Sequence, residues 1–138
     1  PMPTNTEGVA AREHPLQFLH YLRKTVNFND VGIDTGIPFS KYLPLGASIQ
    51  WCMVKIKTVF NAGSTNVLTV GTVGTAYNNI VAAADVDEAV AQANMVLRGA
   101  DLTIAAAVLP YIKYTQTGGA ATTGQAEVEI VYACNNDE

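Results

Sequence analysis

Apolar and polar residues alternate along several short segments of the chain, as in β-strands that turn one face to a core. In residues 125–133 every second residue is apolar, from Ala126 to Tyr132, and these residues alternate with Gln125, Glu127 and Glu129. A Gly-Gly and Thr-rich segment precedes this run and follows another β-like run that begins at Tyr111. Residues 111–133 therefore predict two strands joined by a turn.

Residues 49–60 predict a long strand whose apolar side changes along its length. Ile49, Trp51 and Met53 share one face, whereas the apolar residues from Val54 onward take the opposite face. Because strand side chains alternate strictly, the change requires either a β-bulge near Met53 and Val54 or burial of both faces in the first half.

A small, uncharged loop follows, and the run after it, residues 67–72, predicts a partner strand for residues 49–60. Asn61, Gly63 and Asn66 are residue types that turn a chain. We expect this loop to reverse the chain, with a positive φ at Gly63 that a β-branched residue could not adopt cheaply. A subunit contact at the same loop is a second expectation.

Two further segments fit strands with less clarity. The apolar residues of the segment 16–28 fit either one face of a helix or the alternation of a strand. The residue types Thr25, Val26 and Phe28 favour the strand. Residues 101–108 alternate between larger apolar residues and a small, uncharged outer face. Such a face can pack closely against a second layer or another subunit.

One short helix is predicted over residues 85–93. Asp85 has the position of an N-cap, Glu88 completes the spacing of a capping box, and apolar residues follow at helical intervals. With seven or eight short strands, the chain predicts an all-β fold, an antiparallel β-sandwich or jelly roll with this one helix. Residues 1–15 are predicted to form an N-terminal arm, and residues 16–138 a single domain.

The composition argues against binding of nucleic acid or membrane and favours binding of other proteins. The chain has 138 residues and a net charge of −4, and only 14% of residues are charged although 49% are hydrophobic. An acidic chain without a basic cluster predicts no direct binding of nucleic acid, and no segment reaches the ~18 apolar residues of a membrane helix. A surface so poor in charge favours lasting contact with other proteins.

No motif points to catalysis, a cofactor or a metal. His14 and His20 lack metal-ligand spacing, and Asp85, Asp87 and Glu88 lack the glycine and distal glutamate of a calcium loop. We therefore assign no catalytic, cofactor-binding or metal-binding residue.

Two other residue sets allow alternatives. Cys52 and Cys134 are expected to be two buried thiols, although a disulfide between strand ends remains an alternative. Five aromatic residues are spread over the predicted strands and loops: Trp51, Tyr42, Tyr111, Tyr114 and Tyr132. We expect them in the core or at an interface, and the alternative is a sugar-binding platform.

The order of several motifs resembles a known family. TVNFNDVGIDTGIPF, LPLGASI, VFNAGSTNVLTVGT, DVDEA and YTQTGGAATTGQAEVEIVY follow one another within residues 23–133. Together they resemble the jelly-roll cement, or decoration, proteins of tailed bacteriophage heads, such as that of a Bordetella phage. The most specific motif is the Phe-Asn-Ala-Gly, Thr-Asn-Val-Leu, Gly-Thr run, which consists of structural residues.

The resemblance implies a protein that works by binding alone. It implies a place on the outer surface of the capsid, often as a homodimer near two-fold positions, with the major capsid protein as partner. It implies no active site and no cofactor. The arm lies outside the resemblance, and a contact through Pro1, Met2 and Pro3 is a separate expectation. A carbohydrate- or receptor-binding β-module of a virion is the alternative function.

Overall fold

Two antiparallel sheets form the computed structural model of the chain, which describes residues 19–97 and 103–134. The strands are β1 (His20–Asn27), β2 (Ile37–Pro38), β3 (Ser48–Thr58), β4 (Thr65–Gly71), β5 (Ala93–Leu97), β6 (Tyr111–Thr117) and β7 (Gln125–Ala133). One sheet has the order β1-β7-β3-β5 and the other the order β2-β6-β4. The predicted all-β sandwich is confirmed.

Consecutive strands always lie in different sheets. β1, β3, β5 and β7 form the four-stranded sheet, while β2, β4 and β6 form the three-stranded sheet. The prediction that residues 67–72 pair with residues 49–60 is therefore wrong, because β4 pairs with β6 and β3 lies between β7 and β5. Every loop crosses from one layer to the other, so the sequence neighbour of a strand is never its hydrogen-bonded neighbour.

The core lies between the two sheets, and the end of β4, from Leu68 to Gly71, is buried on both faces. In β7, Ala126, Val128 and Ile130 are buried, and β1 alternates in the same way up to buried Val26. Both strands and their faces agree with the sequence prediction. Lys24 is an exception because its register with Val128 places it on the inner face of β1, at the edge of the sheet. An inward lysine on an edge strand opposes pairing with a foreign strand.

The change of face in β3 comes from a bulge, earlier than predicted. Ile49 pairs with Tyr132, but Trp51 pairs with Val131, so Gln50 is the extra residue. Beyond it, Cys52 is buried and Trp51 turns outward. The bulge explanation is thus correct, while its predicted place near Met53 and Val54 is wrong.

The helix predicted over residues 85–93 does not form. A single 3-10 turn covers Ala83–Asp85, and β5 begins at Ala93. Asp85 is not the predicted N-cap: it is the last residue of this turn, and its carboxylate accepts a hydrogen bond at 2.8 Å from the amide of Ala82, the residue that caps the turn. Glu88, however, accepts the Leu68 amide at 2.7 Å and so joins the edge of β4. This tertiary bond replaces the local one that the capping-box spacing suggested.

The continuous strand predicted over residues 101–108 is also wrong for the described part, residues 103–108. Two isolated bridges remain, Ser48 with Thr103 and Leu43 with Val108. Ile104 is buried between them, while the alanines at 105–107 are exposed. The small outer face therefore belongs to a bent segment at one end of the sandwich.

Cys52 is buried and Cys134 half-buried, and no disulfide joins them. This agrees with the preferred expectation of two thiols, although Cys134 is less buried than expected. Within the described residues, no helix is long and apolar enough to span a membrane.

Candidate contact surfaces

The loop between β3 and β4 is tied to the loop between β6 and β7 by the side chain of Asn61. Its Oδ1 accepts the amides of Thr122 and Thr123 at 2.7 and 3.0 Å, and its Nδ2 donates to Thr122 Oγ1 at 2.8 Å. Thr123 Oγ1 donates in turn to the carbonyl of Val59 at 2.9 Å. Asn61 therefore stabilises a junction between two loops, a role beyond that of a simple turn residue.

Gly63 lies at the closest approach of these two loops. Its amide donates to the carbonyl of Gly119 at 2.7 Å, and a Cβ at position 63 would stand 2.6 Å from the Gly119 nitrogen. Gly63 does not have a positive φ, so that expectation is wrong; in the facing loop between β6 and β7, Gly118 has a φ of 83° and Gly124 a φ of 150°. The glycine is needed because two backbones meet here, which the sequence alone did not indicate.

Asn66 turns its side chain inward at the base of the same loop. Its Oδ1 accepts the Ala62 amide at 2.9 Å and the Tyr114 hydroxyl at 2.6 Å. Burial raises the pKa of Tyr114, and the nearby charge of Glu88 raises it further. The phenol therefore stays protonated and can keep donating to Asn66.

The outer surface of this junction, which we call the loop tip, is exposed and uncharged. It consists of residues 61, 63–65, 115–120 and 122–123. The polar groups of Asn61, Thr65 and Thr117 are largely bonded to one another or to backbone. The loop tip therefore offers a preorganised surface for contact with protein, and no reacting group.

A second surface covers the outer face of the four-stranded sheet. The strand register aligns Tyr21, Val131, Trp51 and Leu97 in one row across all four strands. In the next row, Met53 and Met95 lie side by side on β3 and β5. We call these residues the apolar block: Tyr21, Trp51, Met53, Met95, Leu97 and Val131.

Much of the apolar block is exposed to solvent. Tyr21 is 59%, Met95 56% and Leu97 70% exposed, whereas Val131 is nearly covered by its neighbours. Large exposed apolar patches are uncommon on monomeric proteins, and they are typical of surfaces that bind other proteins.

Charged residues continue the same face on β1 and β7. Arg23 Nη2 lies 2.7 Å from Glu129 Oε2, and Arg23 Nε lies 3.7 Å from Glu127 Oε1. Lys57 Nζ lies 3.2 Å from Glu127 Oε2. The Arg23 guanidinium also stands over the Tyr21 ring, 5.1 Å from its centroid. The acids of this outer face are thus paired within the face itself.

The aromatic residues do not form a common sugar-binding platform. Tyr114 is buried, Tyr132 stacks on His20 at 5.7 Å, and Tyr111 stacks on Tyr77 at 4.4 Å. Trp51 lies apart from them in the apolar block, and Tyr42 is exposed in the segment between β2 and β3. The expected core placement is therefore confirmed for Tyr114, and an interface placement of the others stays a prediction.

The acidic residues that could suggest a cation site have local partners. Asp85 binds the Ala82 amide, Asp87 binds the Ala89 amide at 3.1 Å, and Glu88 binds Leu68. Burial raises the pKa of Glu88, and the hydrogen bond from Leu68 partly opposes that rise. Within residues 19–97 and 103–134, no three His, Cys, Asp or Glu side chains form a group that could hold a metal.

Sequence reasoning identified the loop that contains Asn61 and Gly63, but it missed the junction of this loop with the β6–β7 loop and it missed the apolar block. Pro1, Met2 and Pro3 lie outside the described residues, as does His14. Met95 and Leu97 followed the wrongly predicted helix, so nothing placed them beside Trp51. The available signal was the outward apolar side of residues 49–53, which the prediction treated as a question of burial.

The fold is similar to chains in two solved phage structures. No family model and no curated protein sequence matches the chain. A chain of the cyanophage Pam1 capsid asymmetric unit aligns over 98% of both chains, with a TM-score of 0.64 and 17% identity. A chain of the acidic stable capsid of Helicobacter pylori bacteriophage KHP30 aligns over 83% of this chain and 86% of its own, with a TM-score of 0.62 and 15% identity. At these identities the likeness shows the shared fold.

Proposed function

We propose that the protein is a non-enzymatic structural component of a phage virion. It binds the outer surface of the capsid as a homodimer and stabilises the shell by bridging subunits of the major capsid protein, without contacting nucleic acid or membrane. The observation that carries the proposal is the near end-to-end likeness to a chain of the Pam1 capsid asymmetric unit. The motif resemblance to cement proteins, including that of a Bordetella phage, supports the finer role.

The physical properties of the two surfaces fit such a role. The loop tip is uncharged and cross-linked by the hydrogen bonds of Asn61, and the apolar block offers exposed area for protein contact. A capsid presents many equivalent sites, so a dimer with two modest contacts gains strength through multivalency. Such contacts depend on the buried area and on the number of equivalent sites. Binding of this kind therefore needs no cluster of reactive side chains.

Co-sedimentation with purified capsids of the phage that carries this chain tests the proposal. The chain should pellet with expanded capsids, and capsids carrying it should release their DNA at a higher temperature than capsids without it. A chain that stays in the supernatant at micromolar concentration, and is absent from purified virions by mass spectrometry, would refute the capsid role.

The alternative is a carbohydrate- or receptor-binding module of the virion. The exposed aromatic residues Tyr21 and Tyr42 are the observation that favours it, but the other aromatics are dispersed. Binding to defined glycans on an array, without co-sedimentation with capsids, would favour this function.

A further inference from the structure

The apolar block is an exposed sheet face that no described residue covers. We propose that it is the surface through which two copies of this chain associate, with the outer faces of their four-stranded sheets packed against each other about a two-fold axis. The inference rests on the proposed function in one respect, because it assigns the interface of the proposed homodimer.

The residue types of the block are those of protein interfaces. Tyr, Trp, Met and Arg are enriched at such interfaces, and their cores are depleted of charge. The face contains the only tryptophan of the chain, two of its three methionines, and Arg23 stacked on Tyr21. The charged residues lie at one side of the apolar cluster, as a rim lies beside an interface core.

The exposed apolar side chains supply a large part of the area that a stable pair needs. An aromatic side chain offers roughly 150–250 Å² and a Leu or Met somewhat less. Tyr21, Met95 and Leu97, at 56–70% exposure, together provide roughly 300–400 Å² of the ~800 Å² per partner of a standard interface. Half-buried Trp51 and Met53, with the ionic residues beside them, extend the same surface.

Charge favours a second copy over a strongly charged partner. The chain carries a net charge of −4, yet this face has three basic residues, Arg23, Lys55 and Lys57, against two acidic ones, Glu127 and Glu129. Both acids are already paired within the face. Two copies can therefore meet here without opposing their acidic surfaces, whereas a highly basic or acidic partner would find little to pair with.

Sedimentation velocity of the full chain from nanomolar to high micromolar concentration measures the association. We expect a concentration-dependent species of twice the 14.7 kDa chain mass. Because Trp51 lies in the block, its emission should shift to shorter wavelength and its quenching by iodide should fall over the same concentration range. A monomer at all concentrations would overturn the proposal, even if Trp51 were shielded by another segment of its own chain.

Matched substitutions locate the interface. Leu97→Asp should weaken self-association at least tenfold. Val73→Asp is the matched control, because Val73 is similarly exposed, 65% against 70% for Leu97. It should leave self-association unchanged, because Val73 lies outside the block, between β4 and the 3-10 turn. Met95→Glu serves as a second variant, should Leu97→Asp melt well below the wild type. Equal dimerisation of both block variants and the Val73 control would overturn the proposal.

Capsid binding separates this inference from the proposed function. A dimer that dissociates on Leu97→Asp but never binds capsids supports the interface and refutes the capsid role. A monomer that binds capsids through the block, losing the binding on Leu97→Asp, supports the capsid role and refutes the two-copy interface.

Discussion

The close approach of Gly63 to Gly119 makes a sharp prediction about stability. Gly63→Ala introduces a Cβ that would lie 2.6 Å from the Gly119 nitrogen and 3.3 Å from its Cα. Because backbone atoms cannot rotate away as a side chain can, the two loops must separate. Separation lengthens the hydrogen bonds from the Gly63 amide to Gly119 and from the Ser64 amide to Thr117, which are 2.7 and 2.9 Å long.

The expected cost follows from those two bonds. Each contributes about 1 kcal/mol net, so we expect Gly63→Ala to lower the free energy of unfolding by about 2 kcal/mol. Gly119→Ala is the matched control on the facing loop: its Cβ would meet no atom within 4 Å, and its φ is not positive. That control should be neutral or stabilising by up to ~1 kcal/mol, because alanine restricts the unfolded chain.

Urea unfolding followed by Trp51 fluorescence measures both variants at one protein concentration. The midpoint should fall for Gly63→Ala and stay or rise for Gly119→Ala, with unchanged slopes. If the two variants unfold within ~0.5 kcal/mol of each other, steric contact between the loops is not the reason for glycine at position 63.

Three further substitutions test other contacts. Asn61→Ala removes three hydrogen bonds at an exposed junction and should lower the free energy of unfolding in urea by about 1–2 kcal/mol. Asn61→Asp keeps the acceptor for both amides, so its loss should be smaller. Equal losses for the two variants would contradict the acceptor role of Asn61. Glu88→Gln keeps an acceptor for Leu68 without the buried charge. Burial raises the pKa of folded Glu88, so the wild type should lose stability relative to this variant as the pH rises through that pKa. A difference in melting temperature between the two proteins that stays constant from pH ~4 to ~7 would refute this. Arg23→Gln removes exposed ion pairs and should leave the urea midpoint of the monomer's unfolding almost unchanged. A clear fall in that midpoint would show that these pairs matter more than surface pairs normally do.

The sequence predicted β1, β3, β4, β6 and β7 because each of these strands carries its own periodicity. It did not predict β2, which has two residues, or β5, which follows the wrongly predicted helix. The alternation in residues 125–133 identifies both the strand and its buried face without reference to any other segment. The pairing of strands has no such local signal. β3 pairs with β5 about forty residues later, and β4 with β6 at a similar distance, so sequence proximity gave β4 the wrong partner.

The lack of a local signal for tertiary contacts also explains why the helix prediction was wrong and why the need for glycine at position 63 was missed. Asp85 and Glu88 have the spacing of a capping box, but Glu88 is bound by the Leu68 amide twenty residues earlier. The requirement for Gly63 likewise depends on a backbone more than fifty residues away. Each of these features is decided by a tertiary neighbour that the local pattern does not contain.

The central position of β7 constrains how the molecule is made. This last strand lies between β1 and β3, which do not pair with each other, so the four-stranded sheet cannot close during synthesis until Ala133 has left the ribosome. Such distant pairing makes folding slow, and the nascent chain carries the unpaired edges of its first strands until β7 has been synthesised. Cells that express this protein at high temperature should therefore accumulate it in inclusion bodies before its native stability is exceeded.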